Sequence, residues 1–180
     1  MAVSPRERRK LTYAEFMDFP NETDFGSELI DGEVWVVNEP SRRHQRVVGN
    51  LYLLFELHIR EHGGGQVYIP VNVHLADDQV FGPDLTFVAE WGDDPDAFHG
   101  PPPLVIEVVS DARRDRIKRA RYERYGVPEY WAVLPEAEQV QVFVLDEGRY
   151  AAPIVHEVPG VVSPQVLPGL AIDLEQVFAE

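Results

Sequence analysis

Two acidic residues accompany segments that otherwise have the composition of buried β-strands, and they constrain the fold and its chemistry strongly. Asp84 directly precedes Leu85-Thr86-Phe87-Val88, and Glu107 lies inside the apolar run from 104 to 109. An ionised carboxylate removed from water costs several kcal/mol unless it is paired, hydrogen-bonded or bound to a cation. Two such acids in neighbouring strands predict a shared divalent-metal site, and therefore metal-assisted hydrolysis.

Each acid also has a purely structural interpretation. Asp84 follows Pro83, which cannot donate a hydrogen bond to a strand ladder, so the acid is expected at a strand start or edge; it could equally be a turn or capping aspartate. Glu107 shares one strand face with Val105 and Val109, and the alternative for it is a buried ion pair with an arginine.

The remaining composition narrows the class of protein. A chain of 180 residues suits one domain, residues 1–180, with 1–10 expected as a flexible tail. The absence of cysteine excludes disulfides, cysteine-ligated zinc, iron–sulfur clusters and cysteine nucleophiles. No apolar run is long enough for a membrane span, and the basic start lacks a secretory signal, so we expect a cytoplasmic protein without membrane contact.

Charge is unevenly distributed along the chain. The net charge of -15 argues against a protein that coats nucleic acid with its whole surface. However, seven of the sixteen basic residues fall within positions 113–124, which makes a local basic patch. A solvated helix face is the competing interpretation of that patch.

Hydrophobic periodicity and turn signals predict a mixed α/β fold. A capping box at Thr12 and Glu15 predicts a short helix that Pro20 closes. Further helices are predicted from Ser41 to the glycines at 63–65, over 111–125 before Gly126, and over 174–179. Predicted strands are a hairpin at 27–37 turned by Asp31-Gly32, then 66–75, 85–88, 104–109, 129–134, 139–145 and 149–158, with a surface loop at 91–103.

The basic helix has one lysine that faces inward. On a helical wheel Lys118 shares an arc with Ile117, Tyr122 and Tyr125, the half-apolar face expected to pack on the sheet. Arg116, Arg119 and Arg124 point elsewhere, toward solvent or phosphate. The alternative for Lys118 is that it snorkels along the helix edge.

An ordered set of motifs carries a resemblance to a known family. The segments are 28–33 (Glu-Leu-Ile-Asp-Gly-Glu), 41–44, Pro83-Asp84-Leu85, 106–110, Lys118 and 122–131, which ends in Gly-Val-Pro-Glu-Tyr-Trp. Over residues 10–178 the chain resembles the Uma-two family of bacterial endonucleases, in the restriction-endonuclease-like PD-(D/E)XK superfamily. The resemblance implies a mixed sheet with flanking helices and a core of helix, three strands, helix and strand, with an N-terminal hairpin and extra C-terminal strands.

The resemblance also implies site residues. It makes Asp84 the first metal ligand and Glu107 the second, and the backbone carbonyl of Val108 is placed to join them around Mg²⁺ or Mn²⁺. The superfamily carries a lysine two residues after the glutamate, where this chain has Val109. Lys118 on the next helix is therefore the candidate for that role, although the connection 110–113 before the helix is short.

Weaker expectations complete the predicted site. The resemblance suggests that Glu28 lies near the metal, and an exposed strand acid is the alternative. His44 at a helix start is a candidate to touch phosphate or the metal shell, and the alternative is a histidine that satisfies local backbone groups. Four arginines of the basic patch are expected to bind nucleic acid: Arg113, Arg114, Arg116 and Arg119. The implied substrate is DNA, and a homodimer is expected because double-strand cutting usually requires two sites.

Two other functions compete with the nuclease. The fold could persist without turnover as a nucleic-acid or protein-binding module, which the acidic composition and the valine at 109 favour. Alternatively, His58, Glu61 and His62 fit the His-x-x-Glu-His pattern of inverted zinc peptidases. Against the peptidase, His62 abuts three glycines at a fraying helix end.

Overall fold

The computed structural model describes residues 10–18 and 26–180. In chain order its elements are α1 (Tyr13–Met17), β1 (Ser27–Ile30), β2 (Glu33–Val36), α2 (Arg42–His62), β3 (Gln66–Tyr68), β4 (Asn72–Ala76), β5 (Gln79–Phe81), β6 (Leu85–Val88), β7 (Ala97–His99), β8 (Leu104–Val108), α3 (Ala112–Arg124), β9 (Glu129–Leu134), β10 (Gln139–Asp146), β11 (Arg149–Tyr150), β12 (Ile154–Glu157), β13 (Val161–Val162), β14 (Ile172–Asp173) and α4 (Leu174–Val177).

The strands form two large mixed sheets and one small pair. The central sheet has the order β11-β10-β9-β8-β6-β3, with β12 also beside β10, and the second sheet has the order β2-β1-β5-β4-β7. Strands β13 and β14 pair with each other. Neighbouring strands run antiparallel except for β8 with β9 and β4 with β7. The central sheet forms the core of the fold. The second sheet, which includes the N-terminal hairpin, is an addition to that core.

The predicted core of helix, three strands, helix and strand is confirmed. It consists of α2, the antiparallel strands β3, β6 and β8, then α3 and finally β9 parallel to β8. The crossover from β8 to β9 passes through α3, as a parallel pair requires. The end of β8 therefore leads directly into the basic helix.

Strand β8 is buried on both faces, and each face packs against a different helix. Leu104, Ile106 and Val108 belong to the cluster that includes Phe55 of α2. On the opposite face, Val105 packs in the cluster that includes Tyr122 of α3. The alternation of side chains along β8 therefore turns Glu107 toward α3.

Local signals predicted most element ends correctly. The capping box of Thr12 and Glu15 starts α1, and the Ser41 hydroxyl accepts the His44 N–H at 3.1 Å at the start of α2. The turn between β1 and β2 has positive φ at Asp31 and Gly32, as a two-residue hairpin requires. The predicted closing residue of α1, Pro20, lies outside the described residues, as does almost all of the predicted tail.

Three predicted segments were wrong in detail. The strand expected over 66–75 is two strands, β3 in the central sheet and β4 in the second, and Pro70 lies between them. The expected loop at 91–103 contains β7, and the segment 149–158 is divided into β11 and β12. The short strand β5 was not predicted. Within the described ranges, no helix is both long and apolar enough to cross a bilayer.

Candidate functional site

Asp84 lies at the start of β6, where the strand pairs with β8. Its Oδ2 accepts the backbone N–H of Val108 at 2.7 Å, and Nε2 of His44 lies 3.2 Å from the same oxygen. The side chain remains 24% exposed, so the carboxylate is reachable from solvent. Asp84 thus links the start of β6 to the end of β8 through its side chain.

Glu107 is the buried acid of the pair. Its Oε1 accepts the hydroxyl of Tyr122 at 2.8 Å and lies 2.5 Å from Nζ of Lys118. Both partners come from α3, one helical turn apart, which agrees with the inward face predicted for that helix. The buried ion pair considered for Glu107 exists, but its partner is lysine instead of arginine.

The hairpin strand β1 contributes a third acid to the same site. Glu28 is 2% exposed, and its Oε1 lies 2.8 Å from Nζ of Lys118 while Oε2 accepts Nη2 of Arg114 at 2.7 Å. The Gly82 backbone N–H also donates to Oε1 at 3.0 Å. Lys118 is therefore held between two carboxylates and does not snorkel to the helix edge.

The charges of this network shift the pKa of each member. Burial, together with the nearby charges of Asp84 and Glu28, raises the pKa of Glu107 to about 8 despite the opposing effect of Lys118. Burial also acts to raise the pKa of Glu28, but Lys118 and Arg114 outweigh it and lower that pKa. Burial acts to lower the pKa of Lys118, and the three surrounding carboxylates raise it instead. The two glutamates that contact Lys118 therefore differ in proton affinity, and Glu107 has the higher pKa of the two.

His44 is brought to the site from the first turn of α2. Burial favours its neutral form, but the hydrogen bond and charge of Asp84 and the charge of Glu107 give a net increase in its pKa. Its Nδ1 is buried and has no hydrogen-bond partner among the described residues. The accessory position predicted for His44 is therefore adjacent to Asp84, on the side of the carboxylate that faces α2.

The donor set suits a hard divalent cation. Asp84, Glu107 and the Val108 carbonyl supply only oxygen, and Mg²⁺ is commonly held by one or two carboxylates with several waters and substrate phosphates. The described residues contain no group of three His, Asp or Glu side chains already arranged around a metal position. The residues fit an ion that takes two carboxylates and completes its shell with water or phosphate oxygen.

The four arginines expected to bind nucleic acid have different environments. Arg113 and Arg116 are exposed on α3. Arg114 is committed to Glu28 and to the Val36 carbonyl, at 3.0 Å. Arg119 lies over the Phe143 ring at 4.4 Å from the ring centroid and 3.5 Å from Asp115. Of these four arginines, only Arg113 and Arg116 have guanidinium groups without an ion pair or ring contact in the described structure.

Two partners in the site are not predicted from the sequence, namely Tyr122 for Glu107 and Arg114 for Glu28. The helical wheel predicts Tyr122 on the inward face of α3, four residues after Lys118, and this spacing is the signal that links it to the site. No local signal could have paired Arg114 with Glu28, because the two residues are separated by 86 positions in sequence.

The peptidase motif does not form a metal centre. The rings of His58 and His62 stack with their centroids 4.4 Å apart, and Nδ1 of His62 lies 3.1 Å from the backbone carbonyl of His58. Glu61 is exposed, and the three side chains do not form a metal-ligating group. The stacking of the two rings and the contact with the His58 carbonyl explain the motif as local structure at the end of a helix.

Comparison with known proteins shows similarity to a family model and to solved structures. A family model, Uma2, described as "Putative restriction endonuclease", matches residues 13–175. A crystal structure from Anabaena variabilis, of a protein described as "a putative nuclease belonging to DUF820", superposes with a TM-score of 0.81 at 16% identity, covering 94% of this chain and 98% of that chain. At that identity the second match establishes the shared fold alone. No curated protein matches the sequence.

Proposed function

Because the chain belongs to the Uma2 family, whose model is described as "Putative restriction endonuclease", we propose that it is a Mg²⁺- or Mn²⁺-dependent endonuclease that hydrolyses phosphodiester bonds of DNA. The observation that carries this proposal is the convergence of Asp84, Glu107 and Lys118 at the junction of β6, β8 and α3. The proposed enzyme is a cytoplasmic homodimer in which each chain is one domain.

The residues have distinct proposed roles. Asp84 and Glu107 would hold the cation through their carboxylates, and the Val108 carbonyl would be a further oxygen ligand. The cation, when bound, lowers the pKa of the attacking water and offsets negative charge on the scissile phosphate. His44 orients Asp84 through the contact between Nε2 and Oδ2.

Lys118 acts through its charge. A group that takes a proton during catalysis works best with a pKa near the operating pH, whereas the pKa of Lys118 is raised further above that range. Its ammonium group is therefore suited to donate to a phosphate oxygen and to stabilise charge that develops there. Glu28 positions the ammonium through a contact of 2.8 Å.

The first experiment is a calorimetric titration of Mn²⁺ into the wild type, Asp84→Asn and Glu107→Gln. We expect binding in the wild type and a loss in both variants, because each removes one of two carboxylate ligands. Asp146→Asn, at the exposed end of β10, is the matched control and should bind as the wild type does. Cleavage of supercoiled DNA with Mg²⁺ should follow the same pattern and stop with a chelator. Absence of Mn²⁺ binding to the wild type, with and without DNA, would overturn the proposal.

A binding module without turnover is the second candidate, and one observation favours it. Nζ of Lys118 already lies within 3 Å of both Glu107 and Glu28, so the ammonium group and the two carboxyl groups satisfy one another without a metal cation. In that case DNA binding should be measurable by fluorescence anisotropy, unaffected by Mn²⁺, with no cleavage product. Loss of cleavage in Asp84→Asn would exclude this candidate, because an inert module has no activity to lose.

A further inference from the structure

Two histidines face each other on the second sheet, on strands that do not contribute to the nuclease-like site. Strand β4 runs parallel to β7, and the register places His74 directly beside His99. Residues in register on neighbouring strands project from the same face of a sheet. The Nδ1 atoms of the two rings are 2.8 Å apart, so the backbone pairing brings two imidazole nitrogens together.

The tautomer of His99 is fixed by a carboxylate. Its Nε2 lies 2.7 Å from Oδ2 of Asp94, and an ionised carboxylate can only accept a hydrogen bond. His99 consequently carries its proton on Nε2 when it is neutral, and the lone pair on Nδ1 points at His74.

Asp94 is itself held in place. Its Oδ1 accepts the backbone N–H of Asp96 at 2.8 Å, and its backbone carbonyl accepts Nε1 of Trp91 at 2.7 Å. An ordered carboxylate behind a histidine is the arrangement that orients imidazole ligands of zinc and raises their basicity. Asp94 and His99 therefore form the outer part of such an arrangement.

His74 supplies the second lone pair. Its Nε2 is buried and has no hydrogen-bond partner among the described residues, so no contact there fixes the proton of this ring on Nε2 or on Nδ1. When the proton of each ring is on Nε2, both Nδ1 lone pairs face the same point, and a cation bound there would accept both; without a cation, the separation of 2.8 Å is that of a hydrogen bond between the rings.

We infer that His74 and His99 form a binding site for a zinc-class transition-metal dication, with Nδ1 of each ring as ligand, Asp94 as the outer carboxylate, and water in the remaining positions. Zinc–nitrogen bonds of about 2.0–2.1 Å in tetrahedral geometry place two ligand nitrogens roughly 3.4 Å apart, so the rings need to separate by about half an ångström. Tyr13 of α1 stacks on His74 with ring centroids 3.9 Å apart and closes one side of the site.

The site is chemically distinct from that of Asp84 and Glu107. Imidazole nitrogen suits zinc, copper and nickel, whereas carboxylate and carbonyl oxygen suit magnesium and manganese. The two sites should therefore be separable by choice of metal and by substitution. The inference does not depend on nuclease activity.

The test is calorimetric titration of ZnCl₂, with Co²⁺ absorption as a spectroscopic signature of imidazole coordination. The wild type should bind one Zn²⁺ that His74→Gln and His99→Gln both lose, while Asp94→Asn, which keeps both rings, should weaken binding by roughly 10–100-fold. Circular dichroism confirms that each variant is folded.

Two controls identify the ligands. Glu107→Gln removes the nuclease-like site, and the double variant His58→Gln/His62→Gln removes the other adjacent histidine pair. Both controls should retain the Zn²⁺ site of the wild type. The inference is overturned if the wild type binds no Zn²⁺, if His74→Gln and His99→Gln bind it unchanged, or if only the His58/His62 variant loses it.

Discussion

At the scale of single residues, the charge of Lys118 is the property on which the proposed chemistry depends. We expect Lys118→Met to reduce DNA cleavage by at least about 100-fold, because one donor to a developing oxyanion contributes on the order of 10²–10³ in rate. Mn²⁺ binding, measured by calorimetry, should change much less, since the carboxylate ligands remain.

The neutral methionine would leave two buried carboxyl groups without their cation, which can impair folding. The double variant Glu28→Gln/Lys118→Met removes the surplus negative charge and serves as the second test. Arg124→Met, on the exposed side of the same helix, is the matched control and should cleave normally. Undiminished cleavage by a folded Lys118 variant would remove Lys118 from the proposed mechanism.

The raised pKa of Glu107 predicts a pH-dependent stability. Its ordinary pKa is 4.5 and its folded pKa is about 8, so the folded state binds one more proton than the unfolded state between these values. Its contribution to the free energy of unfolding is fully present below about pH 4.5 and is lost as the pH rises toward 8. Urea denaturation from pH 5 to 9 in a chelator should show this decline in the wild type and not in Glu107→Gln. Parallel curves for the two proteins would contradict the predicted shift.

At the scale of elements, helix α2 depends on the cap at Ser41, which also fixes the turn that carries His44. We expect Ser41→Ala to lower the free energy of unfolding by about 1 kcal/mol, since the His44 N–H loses its acceptor. For a chain of this size that corresponds to a decrease of roughly 2–4 °C in melting temperature, measured by calorimetry. Ser41→Asp, which preserves a capping oxygen, should remain close to the wild type; equal destabilisation by both variants would show that the cap is not the cause.

The elements that could be predicted are those whose signals are local. The starts of α2 and α3, the hairpin turn at Asp31-Gly32 and strand β6 follow from caps, turns and periodicity within a few residues. The division of 66–75 into two strands could not be predicted in this way, because it depends on which distant strand each half joins. Strand β7 is similarly defined by its pairing with β4 and not by its own composition.

The candidate site also combines residues that local sequence patterns indicate with contacts that depend on distant parts of the chain. Asp84, Glu107 and Lys118 could be selected because each is a charged residue on an otherwise apolar strand start, strand or helix face. The contact between Arg114 and Glu28 joins α3 to the hairpin, and Asp31 makes a second connection of this kind to Nε of Arg121 at 2.9 Å. These long-range pairs determine which arginines remain available, and no pattern within one segment encodes them.

At the scale of the whole molecule, the distribution of charge matters more than its sum. A net charge of -15 repels DNA, so binding has to occur where local positive charge faces outward. The intramolecular contacts of Arg114 and Arg119 reduce the basic patch as a DNA surface. Arg113 and Arg116, both exposed on α3, are the remaining candidates among the four predicted contacts.

The difference between the exposed arginines and those held by other side chains predicts how DNA binding depends on salt concentration. Each phosphate contact contributes about 0.9 to the slope of log affinity against log salt concentration, because one counterion is released. In an Asp84→Asn background, which we expect to prevent cleavage, Arg113→Ala and Arg116→Ala should each reduce that slope by about 0.9. Arg119→Ala should reduce it less, since its guanidinium group is held by Asp115 and Phe143. Fluorescence anisotropy over a series of salt concentrations measures all three slopes. If Arg119→Ala had the largest effect, its guanidinium group would have to leave Phe143 when DNA binds. If no slope changed, helix α3 would not be the surface that contacts phosphate.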